Sequence, residues 1–365
     1  MHIPDGYLSP STCAVMYAGA APFWMVALRR LRKRLSAQVV PLLSFFSAFS
    51  FVVMMFNLPL PGGTTGHAVG MGIGAIVLGP WASLIAISVA LLIQALFFGD
   101  GGITAFGANA FNMAIVGSFV AYWLYRVISA RSPVTSPRRV AAAFIAGYVA
   151  INIAALCAAI QFGIQPALFH DASRAPLYAP YPLSVAVPAM LIGHLAFAGL
   201  AEGMLTAGVL AYLQHANPLL LRATAPDALP GMPLPGHAER PWEALRPLWI
   251  GLALMMVLTP LGLLAVGTAW GEWGVEDFKD PEVRAQITAA SQNVAPPAAT
   301  PSGLEKLASI WTAPFPDYAP SFLKSPSFGY ILSAMMGVGL ILAFCLLAGW
   351  MLRKFDGSAN FRRAI

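Results

Sequence analysis

The sequence predicts an all-α polytopic membrane protein, and three observations support this fold class. Hydrophobic residues make up 58% of the 365 positions, charged residues make up 10%, and the mean hydropathy is +0.71. A water-soluble globule of this size needs more polar surface than such a composition supplies. Nine apolar stretches approach the roughly 20 residues with which a helix crosses a bilayer. The basic residues are also distributed unevenly among the connections, as membrane topology requires.

The nine apolar stretches predict the order of the domains. The first seven follow one another closely and predict a seven-helix bundle over residues 1–215. A polar, proline-rich segment at 216–247 predicts a cytoplasmic linker. The last two stretches predict a two-helix transmembrane hairpin over 248–365, with an external loop at 269–327. The stretches lie at approximately 9–28, 38–56, 64–80, 81–98, 105–127, 139–164, 185–213, 248–268 and 328–351.

The positive charges predict the orientation. Sixteen of the 21 Lys and Arg residues fall in four clusters, Arg29–Arg34, Arg126–Arg139, Arg222–Arg246 and Arg353–Arg363. All four lie on one side when nine helices are threaded, which places the N-terminus outside and the C-terminus inside the cytoplasmic (inner) membrane. The net charge of +6 therefore orients the chain and implies no nucleic-acid partner. No positive charge precedes the first apolar stretch, so we expect it to be retained rather than cleaved as a signal peptide.

Several polar residues fall inside the predicted membrane helices, where each costs free energy unless it faces the bundle interior. Two interpretations stay open for them. They can form contacts that join helices, or they can line a cavity and support the ligands of a site. The set is Gln94, Asn109, Asn112, His194 and Glu202. The glycines Gly66, Gly70 and Gly74 predict close helix packing in the third stretch. Cys13, Cys157 and Cys345 share no close spacing and predict packing residues rather than a disulfide or thiolate site.

The N-terminus carries the clearest candidate for metal chemistry. The initiator Met1 is expected to be retained because the second residue, His2, is large. The Met1 amine, the backbone nitrogen of His2 and its imidazole can then close two fused chelate rings on one ion, filling three corners of a square. Ni(II) and Cu(II) favour such a planar nitrogen field, whereas Zn(II) favours a tetrahedron. Because the amide must lose its proton, metal affinity should fall with acid.

A fourth nitrogen is available from His67. It follows the segment Asn57–Gly66, whose prolines and glycines predict a stiff, tight turn on the same side of the membrane as Met1. The other histidines are weaker candidates. His170 lies in another external loop, and His215 and His237 lie near the predicted linker.

The opening Met1-His-Ile-Pro-Asp-Gly-Tyr-Leu-Ser9 resembles that of the substrate-binding membrane components of nickel and cobalt energy-coupling-factor (ECF) transporters. Pro61–His67, Leu92–Thr104 and Gly107–Met113 resemble internal blocks of the same family, as do Gly193-His194 and Glu202-Gly203. The resemblance implies a seven-helix ECF S component that binds metal through Met1, His2 and His67. It also implies a separate scaffold subunit and ATPases as partners. In agreement, none of the five lysines follows a glycine, so the phosphate-binding Gly-Lys-Ser/Thr loop is absent.

The last two stretches are similar to the two-span accessory protein of nickel systems, whose external loop carries Pro-Asp-Gly-Leu-Glu. Here the run is Pro301-Ser-Gly-Leu-Glu305, and Ser302 departs from the pattern. Trp270–Gly274 supports the same assignment, and a fused accessory domain that assists metal loading is expected. Five acidic residues can either concentrate cations there or form a solvated surface: Glu272, Glu276, Asp277, Asp280 and Glu282.

The expected function is capture and uptake of Ni²⁺ as a transported substrate, with no resident cofactor and no enzymatic activity in this chain. The opening Ile3-Pro-Asp-Gly6 favours nickel, whereas cobalt members tend to show Ile-Met-Glu-Gly; Co²⁺ uptake for cobalamin synthesis stays open. An intramembrane metalloenzyme using His194 and Glu202 is a remote alternative, but no His-Glu-x-x-His motif supports it. A self-sufficient channel or carrier is a second alternative, for which no internal repeat is visible.

Overall fold

A computed structural model describes residues 1–34, 39–222, 241–320 and 322–361. Within these ranges the chain is mainly helical, with one two-stranded hairpin. Most of the predicted linker at 216–247 lies outside the described residues. The described parts at its two ends are helical, in Pro218–Arg222 and from Pro241 onward.

The described part of the first unit contains eleven α-helices and the hairpin. Three of its membrane helices include a π-helical segment, at Gln94–Phe98, Ala110–Gly117 and His194–Ala198. The elements are α1 Pro10–Arg34, α2 Val39–Met54, β1 Leu58–Leu60, β2 Thr64–Gly66, α3 Met71–Leu78, α4 Pro80–Ile93, α5 Phe106–Asn109, α6 Ser118–Ser129, α7 Pro137–Gly163, α8 Gln165–Leu168, α9 Leu183–Gly193, α10 Gly199–Ala216 and α11 Pro218–Arg222.

The described part of the second unit runs from Pro241 and has two long helices separated by residues 265–325, which we call the accessory segment. Two short helices and a 3₁₀ turn give this segment its shape, so it is more structured than a plain loop. The elements are α12 Pro241–Leu258, a 3₁₀ helix Thr259–Leu264, α13 Pro281–Ala290, α14 Ser302–Leu307, a 3₁₀ turn Pro316–Tyr318 and α15 Pro326–Phe361.

Seven described helices are long and apolar enough to cross a membrane, and α2 is a shorter apolar helix. The third predicted stretch, 64–80, is wrong as a single membrane helix. Residues Thr64–Gly66 form β2, and α3 has only eight residues, a length of about 12 Å against a hydrocarbon core of about 30 Å. The physical reason is the turn at Gly62 and Gly63, both with positive φ, which pairs Leu60 with Thr64 in a hairpin.

The expected glycine face of the third stretch changes accordingly. Gly66 belongs to β2 and Gly70 has φ +77°, so neither is on a regular helix. Gly74 does lie in α3, where a Cβ would approach the Ser83 hydroxyl to 3.1 Å. The three cysteines are unpaired, and Cys13 and Cys345 are buried, as expected for packing residues.

The accessory segment packs on the end of the first unit that carries Met1 and the hairpin, which we call the N-terminal face. Thr65 of β2 forms a parallel bridge with Ala269. The Tyr7 hydroxyl donates to the carbonyl of Trp273 at 2.7 Å, and the amide of Gly303 donates to the carbonyl of Leu177 at 2.7 Å. The two units therefore enclose the N-terminal segment between them.

Candidate metal centre

The first residues of the chain are buried in the N-terminal face. Met1 is 3% exposed and His2 is 1% exposed. Asn109 holds the next residue by two bonds, since its Oδ1 accepts from the Ile3 amide at 2.8 Å and its Nδ2 donates to the Ile3 carbonyl at 3.0 Å. The Gly102 amide also donates to the Ile3 carbonyl at 2.8 Å. The nitrogens of Met1 and His2 are thus fixed from the α5 side.

Asp5 supplies a second anchor for the N-terminal segment. Its carboxylate accepts from the amides of Ile103 and Thr104, at 3.1 and 2.7 Å, and from the Thr104 hydroxyl. At Gly102, a Cβ would collide with the Asp5 backbone. The close approach of these two chain segments therefore requires glycine. Sequence reasoning missed this role of Asp5.

His67 lies next to His2. The two imidazole centroids are 5.0 Å apart, with the ring planes inclined by 32°. Two imidazoles that bind one ion from adjacent corners of a square, each at about 2 Å, have centroids roughly 4.5 Å apart. The His67 Nδ1 lies 3.0 Å from the Ala68 carbonyl, which leaves Nε2 as the ring nitrogen available to a metal. Burial, followed by repulsion from His2, lowers the pKa of His67 well below its usual range, so the ring is neutral.

Glu202 fixes the segment that follows His67. Its Oε2 accepts from the amides of Val69 and Gly70 at 2.7 and 2.8 Å, and its Oε1 accepts from the Gly72 amide at 2.9 Å. Free amides at a helix N-terminus favour a carboxylate. The buried Glu202 of α10 therefore ties the start of α3, and with it His67, to the opposite side of the bundle.

Two carboxylates contact the nitrogens of the N-terminal segment. The Met1 ammonium lies 3.2 Å from Glu272 Oε1, in the accessory segment. The His2 Nδ1 lies 2.9 Å from Asp100 Oδ1. Desolvation raises the pKa of Asp100, but attraction to His2 and His67 and the hydrogen bond from Tyr318 together outweigh it and hold the pKa below the usual range. Each carboxylate thus lies against one nitrogen of the N-terminal segment.

Gln94 supports Asp100 rather than facing the nitrogens. Its Nε2 donates to Asp100 Oδ2 at 3.0 Å and to the Tyr318 hydroxyl at 2.8 Å, and that hydroxyl donates to the same Oδ2 at 2.6 Å. Tyr318 belongs to the accessory segment. Burial, with the neighbouring charge of Asp100, raises the pKa of Tyr318 well above its usual range, so it remains a donor.

Of the other polar residues of the predicted set, one joins two helices and one lines a cavity. Asn112 exchanges two hydrogen bonds with Gln161, at 2.9 and 2.8 Å, and so joins two helices. His194 bonds through Nδ1 to the Met190 carbonyl of its own helix, at 2.8 Å, and lines a cavity of about 120 Å³ that also reaches Met1. His170 lies in an exposed turn beside Asp171 and Arg174, away from the centre.

The sequence did not predict that Asp100 and Glu272 contact the nitrogens of the candidate metal centre. Glu272 appeared only among five acidic residues with two possible roles, and Asp100 only inside a block of resemblance. One signal for Asp100 was its place in the run Gly99-Asp-Gly-Gly102, because glycines with positive φ on both sides shape a tight turn around one carboxylate.

Comparison with known proteins agrees with both units. Residues 2–220 match the family model CbiM, described as a cobalt uptake substrate-specific transmembrane region, and residues 246–354 match the PDGLE domain. Despite Ser302, the second unit is therefore identified as expected from its resemblance.

Two relatives match this chain across both units, and a solved structure matches it over a shorter part. A fused nickel transport protein NikMN from Rhodobacter capsulatus is 57% identical over 94% of this chain and 95% of its own length. A probable fused nickel transport protein LarMN from Lactiplantibacillus plantarum is 42% identical over 99% of this chain and 100% of its own. A crystal structure of a truncated transition metal transporter is 51% identical, has a TM-score of 0.54 and covers 58% of this chain and 98% of that one.

The first unit accounts for most of the chain and matches one family model almost from the first residue to the end of α11. Together with the apolar helices, these matches place the protein in the inner membrane with multiple passes. The chain belongs to the CbiM family of substrate-specific transmembrane regions, here fused to a PDGLE domain.

Proposed function

We propose that this chain captures Ni²⁺ at the outer face of the membrane and passes it inward as the substrate-binding component of an ATP-driven ECF transporter. The observation that carries the proposal is the convergence of Met1, His2 and His67 in one buried place, with the two imidazoles 5.0 Å apart. A chelating amine, amide and imidazole with one more imidazole make a planar nitrogen field suited to Ni(II). Transport rather than catalysis also follows from the family.

The charge of the pocket favours a divalent ion. Binding through the amine and the amide releases two protons, one from the Met1 ammonium and one from the His2 amide. One divalent cation replaces these two protons, so the amine and the amide together with the ion leave the net charge beside Asp100 and Glu272 unchanged. Because a change in buried charge is expensive, the two carboxylates suit both the empty and the loaded states.

Nickel is favoured over cobalt by two relatives named as nickel transport proteins, which match this chain over 94% and 99% of its length. Co²⁺ remains the second candidate because the matched family is described as a cobalt uptake region and because Co(II) accepts similar nitrogen ligands. Coordination chemistry alone does not separate the two ions.

The partners in the proposal are a scaffold membrane subunit and a pair of cytoplasmic ATPases. With no Gly-Lys pair in its sequence, the chain has no phosphate-binding loop of its own. Proteoliposomes should take up ⁶³Ni²⁺ only when those subunits and ATP are present. Uptake by this chain alone would favour a channel or a secondary carrier instead.

The proposed ligand set is tested by isothermal titration with Ni(II) and Co(II). The chain is compared with a variant that carries one extra alanine before Met1, and with a control that carries the same alanine after Ile365. We expect the N-terminal addition to abolish tight binding, because it converts the amine into an amide and fills its space, and the C-terminal addition to have no effect. Unchanged affinity in the N-terminal variant would refute the ligand set.

A further inference from the structure

Two carboxylates lie between solvent and the buried nitrogens. The side chains of Asp100 and Glu272 are 18% and 19% exposed, whereas that of His2 is 1% exposed. Met1 is 3% exposed and His67 is 6% exposed. An ion that arrives from water therefore meets oxygen donors before it meets the nitrogens of the proposed binding site.

The geometry of these carboxylates suits a cation. One donor atom each from His2, Asp100 and Glu272 lie within 4.8 Å of one another, a grouping able to hold a metal ion. Asp100 has Oδ2 occupied by Gln94 and Tyr318, which leaves Oδ1 directed at the His2 ring. Among the described residues, Nε2 of His2 has no hydrogen-bond partner, and the contact of Nδ1 with Asp100 Oδ1 at 2.9 Å lacks hydrogen-bond geometry. A buried imidazole without such a partner is an uncommon arrangement that a bound ligand would explain.

The donor atoms of the two positions differ in kind. Carboxylate oxygens are preferred by hydrated, oxygen-seeking ions, whereas the planar site offers nitrogens alone. Mixed carboxylate and imidazole donors would hold a divalent ion while nitrogens replace its bound water.

We propose that Asp100, Glu272 and the His2 imidazole form an entry position for the divalent ion, shared between the two units of the chain. The ion then moves inward as the Met1 amine, the His2 amide and His67 replace the two carboxylates. This inference rests on the proposed function and adds a role to it: Glu272 of the PDGLE domain is a transient ligand and not only a cover.

Mn(II) isolates the entry position at equilibrium, because it accepts carboxylate and imidazole ligands but does not displace amide protons. Electron paramagnetic resonance counts free Mn(II) in titrations of the full chain. We expect binding by the native chain and by His67→Ala, and about tenfold or greater weakening in Asp100→Asn and Glu272→Gln. Glu276→Gln, the same charge change on an exposed side chain of the accessory segment, is the matched control and should bind as the native chain does.

Absence of Mn(II) binding by the native chain would overturn the entry position. So would binding that Asp100→Asn and Glu272→Gln leave unchanged, or a loss in Glu276→Gln as large as that in Glu272→Gln. Loss in His67→Ala would also overturn it, because it would assign Mn(II) to the inner site.

Stopped-flow mixing with Ni(II) supplies a kinetic test. An entry ligand accelerates both loading and release, so Glu272→Gln should slow association about tenfold and change the equilibrium affinity much less. If Glu272 only pairs with the Met1 ammonium and so opposes metal binding, Glu272→Gln would speed association, and the inference fails. Weak Ni(II) binding by the native chain would instead refute the proposed function, so the two failures are distinguishable.

Discussion

The two arms of the candidate centre are built in different ways. In the proposed site the first arm, Met1 and His2, would supply three nitrogens, and it is held by contacts from both units, at Asn109 of the first and Glu272 of the second. The second arm, His67, would supply one nitrogen; Glu202 of the first unit fixes the residues that follow it, and β2 before it forms a backbone bridge with Ala269 of the accessory segment. The difference is that the fused domain places a carboxylate side chain, Glu272, against the first arm, whereas its contact beside the second arm is a backbone bridge.

The largest expected effect comes from removing a ligand of each arm in turn. His2→Gln keeps a large second residue, so Met1 is retained, but it breaks the six-membered chelate ring. His67→Ala removes one of four donors and leaves both rings intact. We expect Ni(II) affinity to fall by more than about 100-fold in His2→Gln and by about 10- to 100-fold in His67→Ala, measured by competitive titration with a chelator. Equal losses would contradict the inequality of the arms.

The two arms also differ in their expected contribution to the pH dependence of Ni(II) affinity. Since two protons leave for each ion bound, affinity should fall about 100-fold for each unit of pH decrease near neutrality. The lowered pKa of His67 keeps that ring neutral, so it adds no proton to this count. Titrations in buffers of different ionisation enthalpy should therefore give about two protons released both in the native chain and in His67→Ala. A drop to about one proton in His67→Ala would mean that one of the two protons comes from His67, in the second arm.

Asn109 and Asn112 offer a matched pair of buried amides in one helix region. Asn109→Ala removes both bonds to Ile3 and should weaken Ni(II) binding by about tenfold, because the first arm is no longer held in place. Asn112→Ala breaks the pair with Gln161, which joins helices away from the centre. It should lower thermal stability with little change in affinity. If both variants lose affinity in proportion to stability, Asn109 has no special role in the first arm.

Much of the first arm followed from sequence because its chemistry is local. Adjacent residues, Met1 and His2, define the chelate, and apolar length defines the helices around it. The carboxylates could not be found in this way, since Glu272 lies 271 positions from Met1 along the chain and an isolated loop glutamate has many solvated counterparts. The third stretch was mistaken for a membrane helix because hydropathy does not register β2 at Thr64–Gly66 or the positive φ of Gly70, after which α3 begins.

Glu202 tests the second arm alone. In Glu202→Gln an amide NH₂ replaces one oxygen and faces the backbone donors of residues 69–72, which loses at least one of three hydrogen bonds. We expect about a fivefold loss of Ni(II) affinity, less than the roughly 10- to 100-fold loss for groups bonded directly to a ligand, because Glu202 acts on His67 through the backbone. A red shift of the d–d band should accompany it as the fourth nitrogen is displaced. In the His67→Ala background the same substitution should have no further effect. Additive losses would assign Glu202 to general stability.

The smallest expected effect concerns the bond between the N-terminal segment and the accessory segment. Tyr7→Phe removes the hydrogen bond from the Tyr7 hydroxyl to the Trp273 carbonyl but keeps the ring, which packs edge-on against Phe162. One buried hydrogen bond contributes about 0.5–1.5 kcal/mol, so Ni(II) release should accelerate about two- to tenfold. Tyr148→Phe, which loses a bond to Leu195 at an exposed position, is the control. Faster release only in Tyr7→Phe would show that the fused domain retains the ion through the first arm, and equal release in the two variants would show that it does not.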